Sequence, residues 1–232
     1  MDPQFWESRY AEPGYGYGTA PNAFLAGLAA RFRPGMRVLL PGDGEGRNGA
    51  WLAARGCEVL SVDLAMSGLR KARRLAERLG AAARLHAVRA DVTRPPWREG
   101  AFDAVVAIYV HLPPPVRAAA HRAWAAALRP GGLLVLEAFD RDHERLRRTL
   151  GTVGGPPGEA LLYTPEMLAD DFAGLRVERL ERLETELDEG RWHRGRSAVI
   201  RLLACRSDGE REERGGEEPA STQPDQAPAP RS

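Results

Sequence analysis

A cluster of glycines separates an apolar run from a helical pattern in residues 38–52, VLLPGDGEGRNGAWL. Gly42, Gly44 and Gly46 give the spacing G-x-G-x-G, and the last two with Gly49 give G-x-G-x-x-G. A strand that ends in glycines before a helix lets a ligand approach the backbone closely, and the helix N-terminus favours a negative group. The spacing alone also fits a tight turn that binds nothing.

Strand-like and helix-like segments alternate from about residue 36 to residue 139. The predicted strands are RVLLP, CEVLSVD, ARLHAVRAD, FDAVVAIYV and LLVLEAF, and the predicted helices are RNGAWLAARG, SGLRKARRLAERLG and residues 115–128. Such alternation predicts an α/β fold in which a parallel sheet is wound with right-handed crossovers and covered by helices on both faces.

The pattern changes after residue 160. TPEMLADDF predicts a helix with Thr164 as N-cap and Pro165 in the first turn. LRVERLERLETELDE and GRSAVIRLLACR predict two late strands joined at Glu189 and Gly190. The first of them also fits an amphipathic helix, but a hairpin would complete the sheet with an antiparallel edge.

The two ends of the chain differ from the middle. Residues 1–22 are rich in Gly, Pro and aromatic residues and predict an irregular N-terminal arm or lid, followed by a helix at 21–32. Residues 207–232 contain no apolar residue larger than alanine and predict a disordered tail, with partner binding as the alternative. One domain at 23–206 remains between them.

Composition excludes several classes of protein. The 232 residues carry a net charge of +1, which gives no global field toward nucleic acid or an anionic membrane. No apolar run is long enough to span a bilayer, and no secretion signal is seen at the start. Cys57 and Cys205 lack metal or disulfide spacing. We therefore expect a cytoplasmic monomer without a metal, a membrane partner or a nucleic-acid partner.

Acidic residues follow the second and third predicted strands. Asp63 ends VLSVD, where a carboxylate can accept hydrogen bonds from both hydroxyls of a ribose. This feature fits NAD and S-adenosylmethionine equally, and an N-cap role is the alternative. Asp91 ends RAD, where an acidic group suits an amine donor such as the adenine N6 and favours the methyl donor. A solvated loop carboxylate is the alternative there.

The ordered motifs resemble a known family. VLLPGDGEGRN, VLSVDLA, RAD, FDAVVAIYVHLP and LRPGGLLVLEAF are similar to the motifs of class I S-adenosylmethionine-dependent methyltransferases. FWESRYAEPGYGYGTAPNAFL and LDEGRWHRGRSAVIRLLACR resemble small bacterial members related to TehB and, more distantly, to thiopurine methyltransferases. The resemblance implies a seven-stranded Rossmann-like sheet of order 3-2-1-4-5-7-6 with the last strand antiparallel. It also implies S-adenosyl-L-methionine as cofactor and a small-molecule acceptor.

The chain departs from the family pattern at one position. The family usually carries an acidic residue two positions before the first loop glycine, and Leu40 stands there. The usual contact to the amino group of the cofactor is therefore missing, although backbone carbonyls of the loop could replace it. A protein that binds the cofactor without turnover is consequently kept as an alternative, beside a small NAD-dependent oxidoreductase.

Methyl transfer needs positioning more than it needs a catalytic triad. His111, in IYVHLPP, is a candidate to orient the acceptor or take its proton, with a turn histidine bonded to backbone as the alternative. The resemblance implies that His193 and Arg194, in WHRGR, lie near a small anionic acceptor such as tellurite or selenite, with a thiol as another soft nucleophile. A solvated hairpin tip is the alternative, and strand alternation allows these two side chains to face opposite ways.

The predicted cofactor site combines the loop, the strand ends and two aromatic residues of the arm. Trp6 and Tyr17 would fold over the cofactor as part of a lid, although simple packing of the arm is the alternative. The full predicted set comprises Gly42, Asp43, Gly44, Gly46, Asn48, Asp63, Leu64, Asp91, Val92, Ile108, Trp6 and Tyr17.

Overall fold

The computed structural model describes residues 3–94, 97–156 and 158–207. Its strands are β1 (Arg37–Pro41), β2 (Glu58–Asp63), β3 (Leu85–Arg89), β4 (Phe102–Ile108), β5 (Leu128–Phe139), β6 (Arg176–Asp188) and β7 (Arg194–Cys205). Its helices are α1 (Pro3–Ala11), α2 (Ala23–Gly27), α3 (Arg47–Ala54), α4 (Met66–Arg78), α5 (Pro114–Ala127), α6 (His143–Leu150) and α7 (Pro165–Asp171). The predicted tail lies outside the described residues except for Ser207.

The strands form one sheet in the order β3-β2-β1-β4-β5-β7-β6, as predicted. Strands β1 to β5 pair in parallel, and β7 runs antiparallel to both β5 and β6. The β6–β7 hairpin confirms the strand interpretation of the late segment over the helical one. Because β6 runs parallel to β5, the tip of the hairpin returns to the carboxyl edge of the sheet.

Apolar side chains cover both faces of the sheet. Leu39 and Val105 pack into one buried layer with Trp124 of α5, whereas Leu40 and Val106 pack into the opposite layer. Neighbouring residues on a strand point to opposite faces, so a strand buried on both faces reads as a continuous apolar run. Leu40 therefore lies in the hydrophobic core, where a carboxylate would be costly to bury.

The N-terminal segment corrects the prediction of an irregular arm. Residues 3–11 form α1, which packs on α4 through Glu7, whose carboxylate accepts from the Ser67 hydroxyl at 2.6 Å. Trp6 and Tyr10, one turn apart, stack with ring centroids 5.5 Å apart. The helix gains its stability from this packing rather than from its own apolar pattern.

The next helix is shorter than predicted. The expected helix at 21–32 is divided into α2 and a 3₁₀ turn at Ala29–Arg31. Asn22 caps α2, because its side chain accepts from the Leu25 amide, so Pro21 lies outside the helix. Helix α6 was not predicted. The N-cap role of Thr164 in α7 is confirmed by its bond from the Met167 amide.

None of the helices among the described residues is both long enough and apolar enough to cross a bilayer.

The close approach of α3 to α4 gives a test of loop packing. Gly46 has φ +82°, and an added Cβ there would overlap the Cβ and Cα atoms of Ala72. We expect Gly46→Ala to destabilise the fold by about 3 kcal/mol, through overpacking together with left-handed strain. Gly80→Ala is the control, since Gly80 also has positive φ but open space around it, and about 1 kcal/mol is expected there. Equal losses in urea unfolding would show that backbone strain alone acts at Gly46.

Candidate functional site

A cavity of about 370 Å³ opens at the carboxyl ends of the central strands. Parallel α/β sheets bind ligands at this edge, where the strand order reverses, here between β1 and β4. A smaller space of about 60 Å³ adjoins it toward β2. The walls of the larger cavity come from α1, the glycine loop, the end of β4, the hairpin tip and residues 153–156.

Most of the predicted site residues lie around these two spaces. Those that line the larger cavity are Trp6, Tyr17, Gly42, Asp43, Gly44, Asn48, Ile108, His111 and His193. Asp63, Leu64 and Val92 line the smaller space. Gly46, Asp91 and Arg194 line neither.

The glycine loop has two distinct functions. Gly42 and Gly44 line the cavity with positive φ angles of 69° and 58°, and an added Cβ at Gly44 would strike the Tyr10 hydroxyl. Gly46, in contrast, is a packing glycine against α4. Of these three glycines, only Gly42 and Gly44 therefore present backbone to the cavity.

Asp63 is fixed by the backbone at the end of β2. Its Oδ2 accepts from the Gly44 amide and its Oδ1 from the Ala65 amide, each at 2.9 Å. Burial raises the pKa of this carboxyl, and the backbone bonds act in the opposite direction. Because each oxygen keeps a lone pair, Asp63 can still accept from hydroxyl groups in the smaller space.

The side chains of two further loop residues accept hydrogen bonds from other parts of the protein. The Asp43 carboxylate accepts from the Ser61 hydroxyl at 2.7 Å and the Gly49 amide at 3.3 Å, and burial raises its pKa to about 6. The Asn48 Oδ1 accepts from the Asn22 amide at 2.9 Å. Both residues therefore shape the loop first, although both reach the cavity wall.

Asp91 closes its own turn. Its Oδ1 accepts from the amide and the hydroxyl of Thr93, at 2.9 and 2.7 Å. Desolvation raises the pKa of this carboxyl, but the two bonds and the charge of Arg94 together outweigh it, so the pKa is lowered. Its side chain lies outside both spaces, and the following residue, Val92, takes its place in the wall. The structure thus matches the loop-carboxylate alternative at this position.

His111 is bonded to backbone at both ring nitrogens. Its Nε2 accepts from the Phe139 amide at 3.1 Å, so the ring proton is on Nδ1, which donates to the Leu161 carbonyl at 2.7 Å. Burial lowers its pKa to about 3. With neither nitrogen free, His111 is placed to hold the cavity wall together rather than to exchange a proton.

His193 lies buried at the hairpin tip, beside the cavity. Its ring centroid is 4.6 Å from that of Tyr17 and 4.5 Å from that of Tyr109. Burial lowers its pKa to about 4, although the carboxylate of Glu189 opposes this shift. At neutral pH the imidazole is therefore uncharged, and its Nδ1 is buried without a hydrogen-bond partner among the described residues.

Arg194 points away from His193. Its side chain is 69% exposed and lies near Asp188, with 3.8 Å between Nε and Oδ1. The structure does not bring this arginine to the cavity, because adjacent side chains on a strand face opposite sides. Arg196 is also exposed and pairs with Glu184.

Two other arginines line the cavity instead. Arg9, in α1, lies with its Cζ 4.2 Å from the ring centroid of Trp192. Arg47, at the start of α3, was not predicted. The available sequence signal was a basic residue directly after the last loop glycine, in a first turn where acidic residues are usually preferred.

A test of the His111 assignment uses pH. Below about pH 6.5 the unfolded chain protonates this histidine while the folded chain does not, which costs about 1.4 kcal/mol of folding free energy per pH unit. His111→Gln removes that cost together with the two backbone bonds. We expect the variant to be about 2 kcal/mol less stable than the parent at pH 7.5, and the gap to narrow by about 1.4 kcal/mol at pH 5.5.

Urea unfolding at the two pH values measures this gap. Because the parent and the variant share all other titrating groups, the contributions of those groups to the free energy of unfolding cancel in the difference. His86→Gln, at an exposed position, is the control for the loss of an imidazole outside the core. A His111→Gln gap that stays constant with pH would contradict the assignment.

Comparison with known proteins agrees with this architecture. Residues 38–132 match the family model described as a methyltransferase domain. The chain is 29% identical over 213 residues to a thiopurine S-methyltransferase of Pseudomonas putida strain GB-1, covering 79% of this chain and 88% of that protein.

Solved structures share the fold at low identity. A structure from work on conversion of a disulfide bond into a thioacetal group during echinomycin biosynthesis has a TM-score of 0.70 at 20% identity, covering 90% of this chain and 94% of that one. TehB from Haemophilus influenzae has a TM-score of 0.64 at 16% identity, covering 88% and 67% respectively. The family model over residues 38–132 and the relative from Pseudomonas putida are both methyltransferases, and these matches favour S-adenosylmethionine over the dinucleotide alternative.

Proposed function

We propose that the enzyme methylates the sulfur of a small, flat aromatic or heteroaromatic thiol, which binds as the thiolate. The observation that carries the proposal is a cavity walled by aromatic rings and supplied with an arginine whose Nε is buried and unpaired among the described residues. Thiopurine S-methyltransferase activity in the relative from Pseudomonas putida supports the same class of acceptor.

The aromatic walls favour a planar acceptor. Trp6, Tyr17, Phe139 and Trp192 contribute rings to the cavity. A flat ring can stack on such surfaces and gain free energy from the apolar area it buries. A small oxyanion such as tellurite or selenite has no flat apolar face to stack on these rings, and it would gain free energy only from the polar groups of the cavity. We therefore favour the thiol over the oxyanion, which remains the second candidate.

Arg9 would stabilise the anionic form of the acceptor. Its guanidinium lies 4.2 Å from Trp192 and 5.8 Å from Tyr17, measured from Cζ to each ring centroid. A nearby cation lowers the pKa of a thiol and raises the fraction of the nucleophilic thiolate. The arginine thus provides charge where a stacked thiol would present its sulfur.

The cofactor fits across both spaces. Gly42 and Gly44 leave bare backbone at the wall, and Asp63 presents its carboxylate to the smaller space beside Leu64 and Val92. We place the ribose at Asp63 and the amino-acid portion in the larger cavity. When bound, S-adenosylmethionine supplies a methyl group already activated on a sulfonium.

The residues of the chain then position and protect the acceptor. Its sulfur would take the methyl group that the cofactor supplies, and the departing thioether sulfur would keep the electron pair of the broken bond. The thiol proton leaves before this step, to water or to the neutral imidazole of His193. Arg9 holds the negative charge until the transfer, and the aromatic walls exclude water.

Helix α1 would act as the lid of this site. It carries Trp6 and Arg9 over the cavity, and its C-terminal end is held by Lys71, whose Nζ donates to the Glu12 carbonyl at 2.7 Å. Opening of such a segment would admit the cofactor, and closing would exclude water. Action of the enzyme as a monomer on a small molecule, with no nucleic acid involved, stays a prediction of the sequence.

An acceptor panel tests the proposed class. With S-adenosylmethionine, we expect thiophenol and 6-mercaptopurine to be methylated at least about 10-fold faster, as kcat/KM, than selenite or tellurite. Mass spectrometry of the products and release of S-adenosylhomocysteine measure both. Methylation of the oxyanions alone would reject the thiol assignment, and no turnover on any member despite cofactor binding would reject both.

Substitution of Arg9 tests the source of the charge. Arg9→Gln should lower kcat/KM for an aromatic thiol by about 10- to 100-fold and move the lower limb of its pH profile upward, because the thiol is then less acidic in the site. Arg176→Gln is the control, since that side chain is 65% exposed at the far end of β6. An unchanged pH profile in Arg9→Gln would remove Arg9 from any contact with the reacting sulfur.

A further inference from the structure

Arg47 is a buried cation, and one of the two terminal nitrogens of its guanidinium has no hydrogen-bond partner among the described residues. The residue is 6% exposed and lies in the wall of the larger cavity. Its Nη2 donates to Glu189 Oε2 at 2.7 Å, whereas its Nη1 is buried without a hydrogen-bond partner among the described residues. Buried donors of charged groups are nearly always paired, so an unpaired one beside a cavity indicates a ligand group that completes it.

The position of Arg47 is rigid. Glu189, its ion-pair partner, also accepts from the Asn22 side chain at 3.0 Å and from the Ala23 amide at 3.4 Å. The guanidinium is therefore held at one end by a carboxylate that two further donors fix in place. A planar fork held in this way presents its free edge in one direction, as bidentate or end-on recognition of a carboxylate requires.

The surroundings of Arg47 do not repel an anion. The acidic residues nearby in the cavity wall are Asp43, whose oxygens accept from the Ser61 hydroxyl and the Gly49 amide, and Glu45, whose two oxygens are also occupied. Glu45 Oε1 accepts from Lys71 Nζ at 2.7 Å and its Oε2 from the Tyr17 amide at 3.2 Å. In addition, Arg47 lies in the first turn of α3, where the helix dipole favours negative charge.

We propose that Arg47 forms a carboxylate site, which binds the α-carboxylate in the amino-acid portion of the cofactor. The inference rests on the cofactor placement proposed above. Arg47 directly follows the glycine loop and lines the larger cavity, in which that portion is placed. Leu40 leaves the loop without the usual acidic partner for the amino group, and a fixed arginine at the carboxylate anchors the same portion from its other end. A carboxylate of the acceptor is the second source of this group.

Two ligands that share the nucleoside test whether the carboxylate at Arg47 comes from the cofactor or from the acceptor. S-adenosylhomocysteine carries the amino-acid portion, and 5′-methylthioadenosine lacks it. In titration calorimetry, Arg47→Gln should weaken binding of the first by about 10- to 100-fold and leave binding of the second within about 3-fold. Arg47→Lys should lie between the parent and Arg47→Gln, because it keeps the charge but loses the fork. Arg176→Gln should bind both ligands as the parent does.

Other outcomes overturn the assignment in separate ways. Equal weakening of both ligands in both Arg47 variants would show that the residue only supports the fold of the site. Unchanged binding of both ligands, together with selective loss of methylation of 2-mercaptobenzoate relative to thiophenol, would move the carboxylate to the acceptor and reject the cofactor assignment. Failure of the parent protein to bind either nucleoside would reject the cofactor placement itself, rather than the role of Arg47 alone.

Discussion

The carboxylate of Glu137 is fully buried at the end of β5, and the geometry of the site depends on the bonds that it accepts. It accepts from the Asn22 side chain at 2.7 Å, the Tyr109 hydroxyl at 2.6 Å and Arg201 Nε at 2.6 Å. A buried charge is tolerated only when it is paired and hydrogen-bonded, so these groups from distant parts of the chain must meet at one point. Asn22 continues the network to Glu189 and thereby to Arg47.

This network also accounts for an unusual backbone at the cavity. Tyr109 has a positive φ of 57°, which is rare for a residue with a large side chain. The strain, of order 1–2 kcal/mol, is opposed by two bonds to the same residue, from the Tyr109 hydroxyl to the Glu137 carboxylate and from the Tyr109 amide to the Glu137 carbonyl. As a result the Tyr109 ring stacks on Phe139 and meets His193, which fixes the imidazole at the cavity wall.

The sequence predicted the sheet well because burial on both faces leaves a strong pattern. Continuous apolar runs gave β1 and β4, and the two late strands followed from their length and turn spacing. Helix α1 was missed because its aromatic face is stabilised by packing on α4, which local sequence does not show. The site was predicted only in part for the same reason. The spacing of residues along the chain identified Gly42 and Asp63. Whether the side chains of Arg194 and Arg47 point into the cavity depends instead on tertiary contacts, which local sequence does not show.

The polar groups near the strand ends separate into two sets according to their hydrogen bonds. Asp43, Asp91 and His111 are bonded within the protein, although sequence reasoning assigned all three to ligand chemistry. Arg9 and Arg47 each carry a buried nitrogen without a partner among the described residues, and both line the same cavity. Burying an unpaired donor opposes folding, and two such donors in the lining of one cavity are consistent with the proposal that ligands supply the acceptors. The unmet hydrogen bonds, more than the residue types, therefore support the two anionic groups proposed above, a thiolate near Arg9 and a carboxylate at Arg47.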